Sequence, residues 1–119
     1  MTVGLAILSG IRAEELDAPP RIEAALRRGV TAGGFSLHDL RIVKFEPQGV
    51  TGAAIVGESH LTIHTWPEEG RLFIDVASCS SETAVDLALA AIANAFDGAH
   101  FEKREVVNLS DAYPRGDPS

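Results

Sequence analysis

The chain has a single cysteine, Cys79, which excludes an internal disulfide and makes a reducing cytoplasm the expected compartment. Basic residues are also scarce. Ten Lys and Arg stand against 17 Asp and Glu, for a net charge of −7. That balance excludes a phosphate-neutralising surface, so no nucleic-acid partner is expected. It suits a small cationic substrate, although acidity more often serves solubility. Long apolar runs are missing too. The stretch from Val3 to Ile11 is too short to span a bilayer, and no Lys or Arg precedes it. It reads as a first buried strand, with no membrane segment. There is no internal repeat and no low-complexity linker, so residues 1–119 are expected to form one domain. A hydrophobic share of 45% is enough to build its core.

What is present alternates between strand and helix patterns. Val3–Ser9 is the first strand. Pro19 and Pro20 suit a helix start, and Ile22, Ala25, Leu26 and Val30 follow at helical spacing. Glu23 can pair with Arg27 one turn on, and Gly33-Gly34 ends the helix. Residues 36–45 read as a strand, followed by a turn marked by Pro47, Gly49 and Gly52. Ala53–Val56 and Leu61–Trp66 are strand-like on either side of Gly57-Glu58-Ser59. From Leu72 to Cys79 the alternation is clean, with Leu72, Ile74 and Val76 on one side and Phe73, Asp75, Ala77 and Cys79 on the other. Ser80 or Ser81 can cap a second helix whose apolar stripe is Val85, Leu89, Ile92 and Phe96, closed by Gly98. Phe101–Leu109 is the last strand, and Asp111–Ser119 reads as a mobile polar tail. The expected fold is α+β: a two-layer α/β sandwich, a mainly antiparallel sheet with two helices on one face.

Chemistry concentrates in residues 57–70, GESHLTIHTWPEEG, and in Cys79 nine residues further on. A metal site from His60, His64, Glu68 and Cys79 is disfavoured. Histidines four apart share an ion well on a helix, but β-branched content and Pro67 favour a strand here. Four residues along a strand span roughly 13 Å, too far for one ion. Taken singly, each His and the Cys fits ordinary packing or surface as well as catalysis. Composition and spacing reach only a possible polar site on a sheet.

The run Glu58-Ser59-His60-Leu61-Thr62-Ile63-His64-Thr65-Trp66-Pro67-Glu68 goes further. It is similar, nearly letter for letter, to the processing-site signature of the bacterial, pyruvoyl-dependent S-adenosylmethionine decarboxylases. The spacing from Ser59 to Cys79 matches that family, as does Phe45-x-Pro-x-Gly-Val-Thr-Gly upstream. The resemblance is strong over residues 41–79 and weak on the flanks.

The resemblance implies a proenzyme that cuts itself between Glu58 and Ser59, giving a β chain of 1–58 and an α chain of 59–119. The Ser59 hydroxyl would attack the Glu58 carbonyl and exchange amide for ester. Elimination would then cut the chain, and loss of ammonia would leave a pyruvoyl group derived from Ser59. A substrate amine condenses with that group, which serves as the electron sink for decarboxylation. Cys79 matches the family's general acid, and a free thiol holds its proton at neutral pH. His64 matches the histidine that assists elimination, and Thr51 the hydroxyl residue that helps the ester form. Phe45 matches the aromatic that stacks on adenine and faces the sulfonium, and Glu68 the acid that binds the ribose hydroxyls. Ser59 and His64 are five apart, so an unbroken strand puts them on opposite faces. The family resolves this with a homodimer. Ser59 and Cys79 are therefore expected from one chain, and Phe45, Thr51, His64 and Glu68 from its partner.

The implied activity is S-adenosylmethionine decarboxylation, which supplies the aminopropyl donor for spermidine synthesis. The sequence departs from the family pattern in places. Val3–Leu8 lacks the usual charges, Glu69 and Arg71 stand where aromatics are common, and Ala77-Ser78-Cys79-Ser80 replaces Phe-Thr-Cys-Gly. Relatives with the same self-processing core act on arginine or ornithine. Those substrates, and an inactive regulatory relative, are the alternative readings.

Overall fold

Two-residue alternation in burial turns the apolar segments into a sheet with one covered face. The computed structural model describes residues 1–109; the tail from Asp111 lies outside the described residues. In order, the elements are β1 (Thr2–Ser9), α1 (Ala13–Leu16), α2 (Pro19–Ala32), β2 (Asp39–Lys44), β3 (Val50–Val56), β4 (Ser59–Trp66), a 3-10 turn (Pro67–Glu69), β5 (Arg71–Ser78), α3 (Glu82–Ala93) and β6 (His100–Asn108). The six strands form one sheet in the order β2-β3-β4-β5-β1-β6, every neighbouring pair antiparallel. This is the α+β sandwich the sequence implied. Among the described residues, no helix is long and apolar enough to cross a membrane.

Both long helices cover the same face. Leu61 and Ile63 of β4 and Leu72, Ile74 and Val76 of β5 are fully buried beneath them. Two glycines set how closely the layers approach. A Cβ on Gly4 would lie 2.5 Å from Val85 Cγ1, and one on Gly52 would lie 2.7 Å from Leu26 Cδ1. A side chain at either position would force the facing side chains or the helix to shift.

Among the described residues, the opposite face has no covering layer. It presents Val43, Phe45, Ile55 and Trp66 at 49%, 48%, 41% and 39% exposure. An apolar surface of this kind on a sheet is characteristic of an interaction face.

Several boundaries differ from the sequence reading. β2 begins at Asp39, not at residue 36; β3 starts earlier than expected, at Val50, and β4 starts at Ser59, directly after the Gly57-Glu58 turn. Ser81 is the cap of α3, its hydroxyl accepting from Ala84 N at 3.1 Å. α3 stops at Ala93. The chain then tightens, with Ala95 N bonded to Ile92 O and Phe96 N to Ala93 O, and this keeps Phe96 buried beyond the helix.

Helix α1 had no clear pattern in the sequence. Its Glu15 is buried and bonded by Arg12 Nε at 2.9 Å and by the Arg21 guanidinium. Burial alone would push the Glu15 carboxyl up, but the hydrogen bonds and charges of Arg12 and Arg21 hold it below the usual range. α1 is tied to the sheet through Thr65, whose hydroxyl donates to Leu16 O at 2.8 Å and accepts from Val50 N at 2.9 Å. Thr65→Val leaves both buried groups without a partner. Urea unfolding of this variant is expected to show a loss of about 1–3 kcal/mol. A loss below about 0.5 kcal/mol would mean that both groups find other partners.

Candidate active site

The hairpin between β3 and β4 turns in two residues, Gly57 and Glu58. Gly57 adopts φ +73, and Val56 pairs with Ser59 across the turn. The Glu58–Ser59 peptide is therefore at the tip of a hairpin, where Glu58 is exposed and Ser59 partly so. Cys79 is just past the end of β5. The last β4–β5 pair is His60 with Ala77, so the two strands bring Ser59 and Cys79 to the same end of the sheet. Cys79 is a free, exposed thiol.

The other expected residues gather at the opposite end. Thr51 of β3 pairs with His64 of β4, and Thr51 Oγ1 lies 3.0 Å from His64 Nδ1 in a shared hydrogen bond. Phe73 of β5 sits opposite His64 and stacks on it, with centroids 6.1 Å apart and planes inclined by 20°. Phe45 follows β2. Its loop closes through Phe45 N to Gly49 O at 2.8 Å. Asp17 accepts from Gly49 N at 2.8 Å and pairs with Lys44 at 3.1 Å. These two contacts hold the Asp17 carboxyl below its usual range. Glu68 sits in the 3-10 turn after β4, with its side chain exposed.

Within one subunit, then, the expected residues fall into two groups. β4 is unbroken from Ser59 to Trp66, and Leu61, Ile63 and Thr65 point into the core while His64 and Trp66 are exposed. Ser59 and His64 consequently lie on opposite faces, about 17 Å apart along the strand. The structure places Ser59 and Cys79 at the same end of the sheet, joins Thr51 with His64, and brings Phe45 and Glu68 to the His64 end. It does not join the two groups.

Two polar clusters were not read from the sequence. On β4 and β5, Thr62 donates to Asp75, and His60 Nε2 lies 3.5 Å from the same carboxylate oxygen. Arg71 is bonded to Glu69 and Glu102, and Glu102 also accepts from Ser9. The clean alternation of β5 already placed Phe73 and Asp75 on the outward side. Their partners required the strand register, which one strand alone does not supply. Glu102 carried no signal.

Comparison with known proteins adds the following. The family model described as S-adenosylmethionine decarboxylase matches residues 5–108. The chain is similar to an S-adenosylmethionine decarboxylase proenzyme of Thermomicrobium roseum, 37% identical over 78% of this chain and 81% of that one. It is 47% identical to a proenzyme of the same description from Methanococcus maripaludis, over 60% of this chain; the match spans 59% of that relative's length. The crystal structure of the adenosylmethionine decarboxylase of Aquifex aeolicus superposes with a TM-score of 0.80 at 26% identity, covering 89% of this chain and 87% of that one. A Trypanosoma brucei enzyme monomer shares the fold at a TM-score of 0.53 and 21% identity; 87% of this chain corresponds to 44% of that longer one.

Proposed function

The chain belongs to the S-adenosylmethionine decarboxylase family, and we propose that it is a proenzyme that cuts itself between Glu58 and Ser59 and then decarboxylates S-adenosylmethionine. The observation that carries this reading is the division of the site residues between two ends and two faces of one sheet. A second copy, docked with its strands reversed so that the His64 end of one sheet meets the Glu58–Ser59 turn of the other, would bring Phe45, Thr51, His64 and Glu68 of one protomer to Ser59 and Cys79 of the other. The homodimer is thus part of the proposal.

The hairpin suits the cut. Breaking the chain at the tip of a two-residue turn leaves the β3–β4 ladder intact. Residues 1–58 and 59–119 would also stay interlocked, because β1 is inserted between β5 and β6. Ser59 would attack the carbonyl of Glu58 at the turn. Thr51 and His64 of the partner are already paired with each other, so a proton leaving the Ser59 Cα during elimination has a ring nitrogen to receive it.

The same placement fits a pyruvoyl group at the start of the 59–119 fragment, beside Cys79. When present, that group supplies an electron sink for the carbon that loses CO2. Cys79 then holds the proton that carbon must regain. Phe45 offers an exposed aromatic face for the purine and the sulfonium, and Glu68 an exposed carboxylate for the ribose hydroxyls.

Substrate choice is tested by comparing kcat/KM for S-adenosylmethionine, arginine and ornithine. Phe45→Ala and Glu68→Gln should each raise the KM for S-adenosylmethionine by roughly threefold to thirtyfold, since their contacts are remote from the reacting carbon. Arginine and ornithine lack purine and ribose, so an enzyme built for them would be nearly indifferent to both changes. Faster wild-type turnover of either amino acid would replace S-adenosylmethionine as the substrate.

A further inference from the structure

On one side, the turn that carries Glu68 is held by two backbone bonds. Gly70 N donates to Pro67 O at 3.2 Å, and Ile11 N donates to Gly70 O at 3.1 Å. On the other side stands Arg71, all three of whose guanidinium nitrogens are engaged. Nε and Nη2 each lie 3.0 Å from an oxygen of Glu102, and Nη1 lies 3.1 Å from Glu69.

Glu102 reaches Arg71 because of a register shift. β1 pairs Ile7 with Lys103 but Leu8 with Phe101, so Glu102 is an extra residue in β6 at that point. A bulge of this kind re-aims a side chain that regular alternation would place elsewhere. Ser9 of β1 donates to the same carboxylate. The ionic contacts deepen the charge separation: Glu102 raises the Arg71 guanidinium, while the Ser9 hydroxyl and Arg71 hold the Glu102 carboxyl below its usual range. The result is a fork-to-fork contact from the sheet edge to Arg71, three residues past Glu68, the geometry in which arginine is least replaceable by lysine.

We propose that Arg71, anchored by Glu102 at the β6 bulge, is a positioning residue that fixes the Glu68 turn for ribose recognition. The proposal rests on the substrate reading above and adds to it a residue outside the motif that suggested that reading. Three of its five N–H donors are committed to Glu69 and Glu102, and the role proposed for Arg71 is to hold the turn rather than to bind substrate. It acts by holding Glu69, and through it the carboxylate of Glu68, in one place.

Charge and position predict opposite signs here. Removing a cation from beside a site for a cationic substrate should by charge alone lower KM. Loosening the turn should raise it. Arg71→Ala is therefore expected to raise the KM for S-adenosylmethionine about fivefold to twentyfold, with kcat within about twofold and with self-cleavage unchanged. Arg71→Lys keeps the charge but loses the fork, so its KM should stay above the wild-type value. Glu69→Gln weakens one exposed contact and puts no folding at risk; it should raise KM about twofold to fivefold, but its lost charge acts in the same direction, so if Arg71→Ala does not fold the Gly70 exchange rate in this variant decides the matter.

A second readout does not depend on the substrate. Hydrogen exchange at the Gly70 amide should be about tenfold faster in Arg71→Ala and in Glu69→Gln than in the wild type, if the clamp orders the turn. A lower or unchanged KM, or unchanged exchange at Gly70, would overturn the proposal. A wild-type protein that does not turn over S-adenosylmethionine would overturn the substrate reading instead, and the exchange comparison would still decide whether the clamp exists.

Discussion

Ser59→Ala protein is expected to remain one uncut chain, while the wild type separates under denaturing conditions into fragments 1–58 and 59–119. The second fragment should be blocked to N-terminal sequencing, because its first residue no longer carries an amine. The effect is all or none: without the hydroxyl there is no nucleophile to attack the Glu58 carbonyl. A wild-type chain still whole after long incubation would remove the proposed function. The same measurement tests the subunit arrangement. When Ser59→Ala and His64→Ala chains are produced together, a mixed dimer contains one site with both residues intact. Some His64→Ala chains should then be cut and no Ser59→Ala chain should be. If His64→Ala chains are cut no faster in the mixture than alone, the two residues do not meet across an interface.

The register explains why part of this site could be anticipated from sequence and part could not. Alternation in β5 and the helical stripes of α2 and α3 are one-dimensional signals, and each led to the observed core face. The odd separation of Ser59 and His64 likewise anticipated their placement on opposite faces. Boundaries failed where local preference met tertiary demand. α3 gives up its last expected turn to tighter bonds at Ala95 and Phe96, and α1 forms around a buried Glu15 that sequence pattern does not favour. The Arg71–Glu102 contact was illegible for a different reason. It depends on a bulge at Ile7 and Leu8, and a bulge reverses the facing of every residue beyond it. The motif named Glu68, but what holds Glu68 in place lies 34 residues further along the chain, at Glu102.

Cys79→Ala is expected to cut itself normally yet lose decarboxylation by about 10²–10⁴-fold in kcat, the usual range for removing a general acid. Cutting requires an attacking hydroxyl and a base, and the thiol serves neither purpose. Turnover requires a proton for the carbon left by CO2, and Cys79 is the exposed acid brought by the end of β5 to the start of β4. The main competitor at that end is His60. It adjoins Ser59 and, on the outward face, its Nε2 lies 3.5 Å from an Asp75 carboxylate oxygen. The double comparison separates them. If Cys79 is the donor, Cys79→Ala loses turnover, and His60→Gln keeps it to within about tenfold. If turnover survives in Cys79→Ala and collapses in His60→Gln, the proton comes from His60, and the thiol at the end of β5 has some other use. Product formed in deuterium oxide sharpens the result. A single donor on one face delivers deuterium with one handedness at the former α-carbon, whereas protonation by bulk water gives both.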